Sequence, residues 1–246
     1  MDSRGIKETD YEFMMDGLTS EGNTGLLGHL KEEGIDIRKN PVEFTTYEFT
    51  TRGGIYFNDK SETSLKGLYA AGDEYFGAIS CAATFGWIAG GNAARYIKKA
   101  KASETDRFRK DVEKKKDWLN HILGRQTGVG WQEANIALQQ IMQDYAGSVR
   151  TESLLKAGLS HIQRLKKKVH ATISASNQHE LMHCLEVLNL LDIGELVFSA
   201  ILERKESRGK YSRQDYPFTN PLLNNKVLTC KQVKGKPALE WREVKD

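Results

Sequence analysis

The sequence predicts an α+β protein with a mixed segment up to about residue 102, then an antiparallel helical bundle, then a small β tail. Three observations carry that expectation. Apolar residues recur at helical spacing over most of the chain after Ser103. Two stretches outside that region, Val42–Asp59 and Lys226–Val244, are rich in strand-forming residues and contain glycine turns. Between the first of these and the bundle lies "GLYAAGDEYFGAISCAATFGWIAGG" (67–91), dense in glycine and alanine, with the acid pair Asp73-Glu74 inside it.

Taken in order, residues 8–33 read as two helices. Thr9-Asp10 can cap the first, which carries Tyr11, Met14, Met15 and Leu18 on one side. After Gly22-Asn23, Leu26, Leu27 and Leu30 begin a second apolar face, closed by Gly34. "VEFTTYEFTTRGGIYFND" (42–59), with Gly53-Gly54 inside it, reads as strand, turn, strand. Leu68–Ala71 reads as a short buried strand, and Thr84–Lys99 as a small-residue helix beginning near Ala82. The charged run "ASETDRFRKDVEKKKDWL" opens the bundle. Its heptad-like apolar sets are Ile136, Leu138, Ile141 and Met142, then Leu154, Leu155, Leu159, Ile162 and Leu165, then Leu181 to Leu202. Lys166-Lys167-Lys168 reads as a solvated helix end. Lys234-Gly235-Lys236-Pro237 predicts a hairpin in the tail.

Composition narrows the function classes. The 246 residues have room for a sizeable core, and 39% hydrophobic with 28% charged residues is ordinary globular usage. A net charge of +3 gives no argument for a nucleic-acid partner. No apolar run approaches the roughly 18 residues of a membrane span, and "MDSRGIKETDYEF" has no signal-peptide core. Cys81, Cys184 and Cys230 are far apart, which predicts reduced thiols and a cytoplasmic protein.

The small-residue stretch suggests a site. An acid directly after a strand can accept hydrogen bonds from a sugar hydroxyl. A helix start without bulky residues offers its backbone N–H groups and dipole to negative charge. From spacing alone, a Gly/Ala-rich helix packed tightly on a sheet explains the same residues. "HELMH" (179–183) matches the zinc pattern H-E-x-x-H, but Leu181, Leu185 and Leu188 mark an ordinary bundle helix, so no metal is expected. His161 and His170 also fall in the bundle, and Trp87, Trp118, Trp131 and Trp241 read as core or interface anchors.

"SLKGLYAAGDEYFGAISCAATFGWIAGGNAARY" resembles the distal flavin-binding segment of the succinate dehydrogenase/fumarate reductase flavoprotein family, which includes L-aspartate oxidase and the adenylylsulfate reductase flavoprotein. A second segment, "ILERKESRGKYSRQDYPFTN" (201–220), is similar to that family's E-S-R-G-x-H-x-R-x-D-[YF]-P signature. Glu206, Ser207, Arg208, Gly209, Arg213, Asp215 and Pro217 match it, and Tyr211 stands where the family has His. The resemblance implies FAD as cofactor. Gly72 and Asp73 would sit at the ribityl chain, and Ala82, Ala83, Thr84, Phe85 and Gly86 at the isoalloxazine. It also implies that Arg208 and Arg213 lock the tail against the flavin and capping regions. The domains expected on this basis are 1–40, a remnant of capping-domain helices; 41–102, the distal part of an FAD-binding domain; 103–205, the bundle; and 206–246, an extension with a hairpin.

Departures from the family pattern shape the functional expectation. Family members acting on fumarate or succinate carry H-Y-T-x-G-G and H-G-A-N-R-L-G. Here Phe49 falls at the first histidine, Ser80 at the second, and Thr84 at the arginine. A dicarboxylate needs cations to offset its desolvation, so neither acid is the expected substrate. Arg52, beside the Gly53-Gly54 turn, is the one candidate catalytic cation, and a plain turn residue is the equal alternative. The dinucleotide fingerprint G-x-G-x-x-G is absent from the 246 residues. The expected function is therefore the C-terminal half of an FAD-dependent oxidoreductase, incomplete for FAD by itself. It would be an excised piece, a truncated product or one subunit of a split enzyme. Expected partners are an N-terminal FAD-binding half and an electron-transfer protein such as an iron–sulfur subunit, with a homo-oligomer also allowed. The alternative is a non-catalytic helical assembly or partner-docking subunit.

Overall fold

A computed structural model of the chain describes residues 3–20, 24–42, 53–72, 78–100, 106–148, 150–209, 211–234 and 236–244. It divides into two units, Met1–Tyr47 and Glu48–Asp246.

The first unit holds α1 (Glu8–Ser20) and α2 (Thr24–Glu32). Tyr11, Met14, Met15 and Leu18 share the half-buried side of α1, at the spacing the sequence predicts. Gly34 ends α2. Its N–H donates to the Lys31 carbonyl at 3.1 Å and the Ile35 N–H to the Leu30 carbonyl at 2.8 Å, with Gly34 at φ +69. That crossed pair needs the left-handed backbone glycine adopts freely.

In the second unit, α3 spans Ala78–Ile97, six residues ahead of the expected Thr84 and four ahead of Ala82. Alanine, serine and cysteine before Ala82 permit helix as readily as the residues after it, so composition alone does not mark the start. The strand expected at Leu68–Ala71 is reduced to isolated bridges, Glu62 to Tyr69 and Phe57 to Thr63. Ala70 is buried, but Leu68 is half exposed. Much of the strand–turn–strand expected over 42–59 lies outside the described residues.

Four helices make the bundle: α4 (Asp106–Leu123), α5 (Trp131–Ala146), α6 (Glu152–Thr172) and α7 (Gln178–Glu203). Leu138, Leu155, Ile162, Cys184, Leu191 and Phe198 form its buried centre. Helix periodicity puts them on facing stripes of α5, α6 and α7. Ile136 departs from the predicted apolar set, since it points to solvent two positions before Leu138, and Leu190, Ile193 and Leu196 on α7 are exposed as well. Gly158 and Gly194 let the helices close up. A Cβ on Gly158 would lie 2.5 Å from both the Tyr145 Cβ and the Phe198 ring, and one on Gly194 would lie 2.4 Å from the tip of Ile162.

Lys166 is no solvated helix end. It sits inside α6 and binds Asp192 at 2.6 Å and Glu195 at 2.8 Å on α7. Burial opposes its charge, and these two carboxylates more than restore it, so its pKa is raised.

The predicted hairpin is present. β1 (Lys226–Val233) and β2 (Lys236–Glu243) pair antiparallel, with Val233 opposite Lys236. The Trp241 indole N–H donates to Glu203 at 3.2 Å, pinning the hairpin to the end of α7.

Candidate functional site

The region carrying the predicted site is the 53–72 segment with α3. Its loop is fixed by its own backbone. Ala70 N–H donates to the Ser61 carbonyl, and Thr63 N–H to the Leu68 carbonyl, both at 3.0 Å. Contacts along its length fasten the loop to α3, the Tyr69 hydroxyl donating to the Asn92 carbonyl among them. Phe57 and Phe85 meet edge to face at 5.5 Å, the Ser61 hydroxyl donates to the Phe85 carbonyl, and the Asn92 amide donates to the Lys60 carbonyl.

That fastening divides the predicted residues. Ala82 and Phe85 are on the half-buried side of α3, while Ala83, Thr84 and Gly86 are on its exposed side with Ile79, Trp87 and Gly90. No heavy atom beyond the helix's own backbone would lie within 4 Å of a Cβ added to Gly86, Gly90 or Gly91. Gly72, at the mouth of the loop, has φ +106, which strains any other residue. Asp73 and Arg52 lie outside the described residues.

Because α3 begins at Ala78, Ala82–Gly86 are not its first turn. Inside a helix each N–H serves the carbonyl four residues back; the donors left for a ligand belong to the turn before them. The Thr84 hydroxyl donates to the Ser80 carbonyl at 2.9 Å.

The second motif builds a different structure. Glu206 is fully buried between Arg204, at 2.7 Å, and Arg208, at 3.0 Å, and also accepts the Asn220 N–H. Burial pushes its carboxyl up, and the hydrogen bonds from Arg208, Arg204 and Asn220 bring it below the ordinary range. Arg213, also fully buried, makes a two-pronged pair with Asp215 (2.7 and 2.6 Å) and donates to the Ile201 carbonyl. The Arg213 hydrogen bond, against some burial, holds Asp215 at a pKa of about 2. Asp215 also accepts the Glu152 N–H at 2.7 Å, at the first residue of α6. Tyr211, in the family's His position, donates to the Ile201 and Arg204 carbonyls at the end of α7.

The described partners of Arg208 and Arg213 lie in the bundle and in the tail itself. The physical reason is demand for donors and acceptors. The end of α7 leaves carbonyls, and the start of α6 leaves N–H groups, that a buried Arg–Asp pair can satisfy together. Sequence reading missed Glu152 and Ile201 because a backbone group leaves no mark in residue identity.

In "HELMH", Glu180 is a cap. Its carboxylate accepts the Ser176 N–H and hydroxyl, both at 2.8 Å, while Asn177 accepts the Glu180 N–H. These bonds hold Glu180 below its ordinary pKa. Cys184, one residue past the motif, is buried, which pushes its thiol up and leaves it inert. No described helix is long and apolar enough to cross a membrane.

Comparison with known proteins agrees with this architecture. Residues 135–246 match the family model described as fumarate reductase flavoprotein C-term. An uncharacterised FAD-dependent oxidoreductase of Methanocaldococcus jannaschii is 28% identical over 213 residues, covering 82% of this chain and 38% of the relative. The fumarate reductase flavoprotein subunit of Proteus vulgaris is 28% identical over 234 residues, covering 86% and 38%. A solved quinol–fumarate reductase with menaquinol molecules shares the fold at TM-score 0.79 and 19% identity, over 100% of this chain and 44% of its own. The chain thus spans less than half the length of the relatives named here.

Proposed function

We infer that this chain, a C-terminal portion of a succinate dehydrogenase/fumarate reductase-type flavoprotein, contributes one wall of an FAD site in an oxidoreductase. The observation that carries the inference is the outward face of α3, where Ala83, Thr84, Gly86 and Gly90 leave room for a large flat group beside an exposed Trp87. FAD supplies the hydride chemistry when bound.

The chain's own part is positional. Gly72, at φ +106, closes the 53–72 loop directly before Asp73 in sequence, the acid whose type suits a sugar-like hydroxyl chain. The first turn of α3 would offer its dipole and free N–H groups to negative charge on the ring of that flat group. Ala83 and Gly86 keep side-chain bulk away from that ring. The Phe57–Phe85 contact and the Ser61 bond hold α3 in place from behind.

With no G-x-G-x-x-G among these residues, the ADP half of the cofactor is held by a segment outside them. Thr84 and Ser80, in place of arginine and histidine, make fumarate and succinate poor substrates. Arg52 is the candidate cation for a different anionic substrate, and a redox partner such as an iron–sulfur protein exchanges electrons with the assembled enzyme. The flavoprotein relatives favour this reading over a purely docking module.

The test is to co-express the chain with the N-terminal portion of a matching flavoprotein and record the flavin band near ~450 nm. Ala83→Trp should abolish retained flavin while leaving thermal unfolding unchanged. Full flavin retention by Ala83→Trp removes the reading, as does no flavin in any wild-type complex. Fumarate reduction by the assembled protein would overturn the substrate part alone.

A further inference from the structure

His179 and His183 have no part in the flavin reading. They stand one turn apart at the start of α7, and their Nε2 atoms are 3.3 Å from each other. Two nitrogens bound at 2.0–2.1 Å to a tetrahedral ion are separated by about 3.3–3.4 Å. We propose that His179 and His183 form a two-histidine site for a borderline divalent transition-metal ion, bound through both Nε2 atoms at the N-terminal end of α7.

Three further contacts suit His183 to that task. Its Nδ1 lies 2.7 Å from the Glu186 carboxylate, which can only accept, so this nitrogen carries the proton and Nε2 presents its lone pair. A carboxylate behind a ligating imidazole fixes the tautomer and raises ligand basicity. The Trp131 ring stacks on His183 at 4.3 Å and 26°, holding the imidazole plane from the neighbouring α5. In the unloaded protein His179 donates its Nε2–H to His183. Loading moves that proton to Nδ1 of His179, which leaves both Nε2 lone pairs for the ion.

The site binds and does not hydrolyse. Glu180, the residue a zinc protease would use as its base, is held by the Ser176 N–H and hydroxyl. Among the described residues no group of three or more His, Cys, Asp or Glu is placed to hold a metal, so water completes the coordination at the exposed His179 side. Imidazole ligands and the divalent affinity order favour Cu²⁺, then Ni²⁺ and Zn²⁺, over Mg²⁺ or Ca²⁺.

Nickel titration of the full chain tests this without any flavin. Calorimetry should give one equivalent bound, with quenching of tryptophan fluorescence that saturates at the same point. His179→Ala and His179→Gln should each lower the affinity at least tenfold, and Glu186→Gln about tenfold. Trp131→Phe should bind nickel but lose most of the quenching, because Trp131 is the indole stacked on His183. Equal affinity in both His179 variants overturns the site, as does quenching that survives Trp131→Phe. Absence of saturable nickel binding overturns it outright.

Discussion

In the α5–α7 bundle, Leu155, Ile162, Leu191 and Phe198 are wholly enclosed, whereas on α3 Ile79 and Trp87 are each more than four-fifths exposed. Both regions are helical and both use glycine, but the glycines do opposite work. Gly158 and Gly194 are filled by neighbouring side chains, while Gly86, Gly90 and Gly91 face open space. Glycine that a neighbour occupies closes a core; glycine that nothing occupies keeps a surface low for something else. The bundle satisfies its own needs, and α3 is built on one face only.

The largest expected effect breaks the bundle. Phe198→Ala removes the side chain enclosed between α6 and α7 and should cost about 3–5 kcal/mol, read by urea unfolding. A stability change below about 1 kcal/mol would mean that this junction does not govern the fold.

Next comes the Arg213–Asp215 pair. Asp215→Ala leaves a fully buried guanidinium without its carboxylate and should cost about 2–3 kcal/mol, below the usual buried-pair loss because the Asp215 carboxyl is partly solvated. The sign of its pH dependence follows from a folded pKa depressed to about 2. The contribution is full above about pH 4, where the unfolded carboxyl is also ionised, and fades as pH falls toward 2. Glu206, depressed in the same direction, adds to that acid lability. Wild type should lose stability steeply between about pH 4 and 2, and Asp215→Ala less so.

Smaller effects separate the two kinds of glycine. Gly158→Ala should cost about 1–3 kcal/mol, because the obstructing Tyr145 Cβ cannot swing away. Gly194→Ala should fall at the lower end, since the tip of Ile162 can rotate. Smallest of all, Trp87→Gln should leave unfolding within about 0.5 kcal/mol of wild type. It should nonetheless weaken flavin retention in the assembled protein. A large drop in intrinsic stability would make Trp87 an ordinary structural residue and erase the contrast between the regions.

Periodicity made the bundle legible. A 3.6-residue repeat with few interruptions leaves little choice of inner face, and the hairpin follows from Lys234-Gly235, where Lys234 adopts φ +49. The 53–72 segment was harder. It is held by single bridges and side chain-to-carbonyl bonds, and neither imposes a repeat on the sequence. For the site, motif residues were visible but their orientation was not. Ala82 and Ala83 are the same letter, yet one is half-buried and the other exposed on α3. The Lys166 pairing was hidden for the opposite reason: its neighbours in sequence are lysines, and its partners are one helix away. Likewise, the letters of H-E-x-x-H could not reveal that Glu180 is a cap while the histidines converge.

The bond from the Glu152 amide to Asp215 has a kinetic corollary. It joins the first turn of α6 to a tail segment more than sixty residues downstream, so neither can fray without releasing the other. Hydrogen exchange at that one amide should therefore be far slower than helix ends normally allow, and it becomes a clock for the opening of the whole Arg213–Asp215 segment.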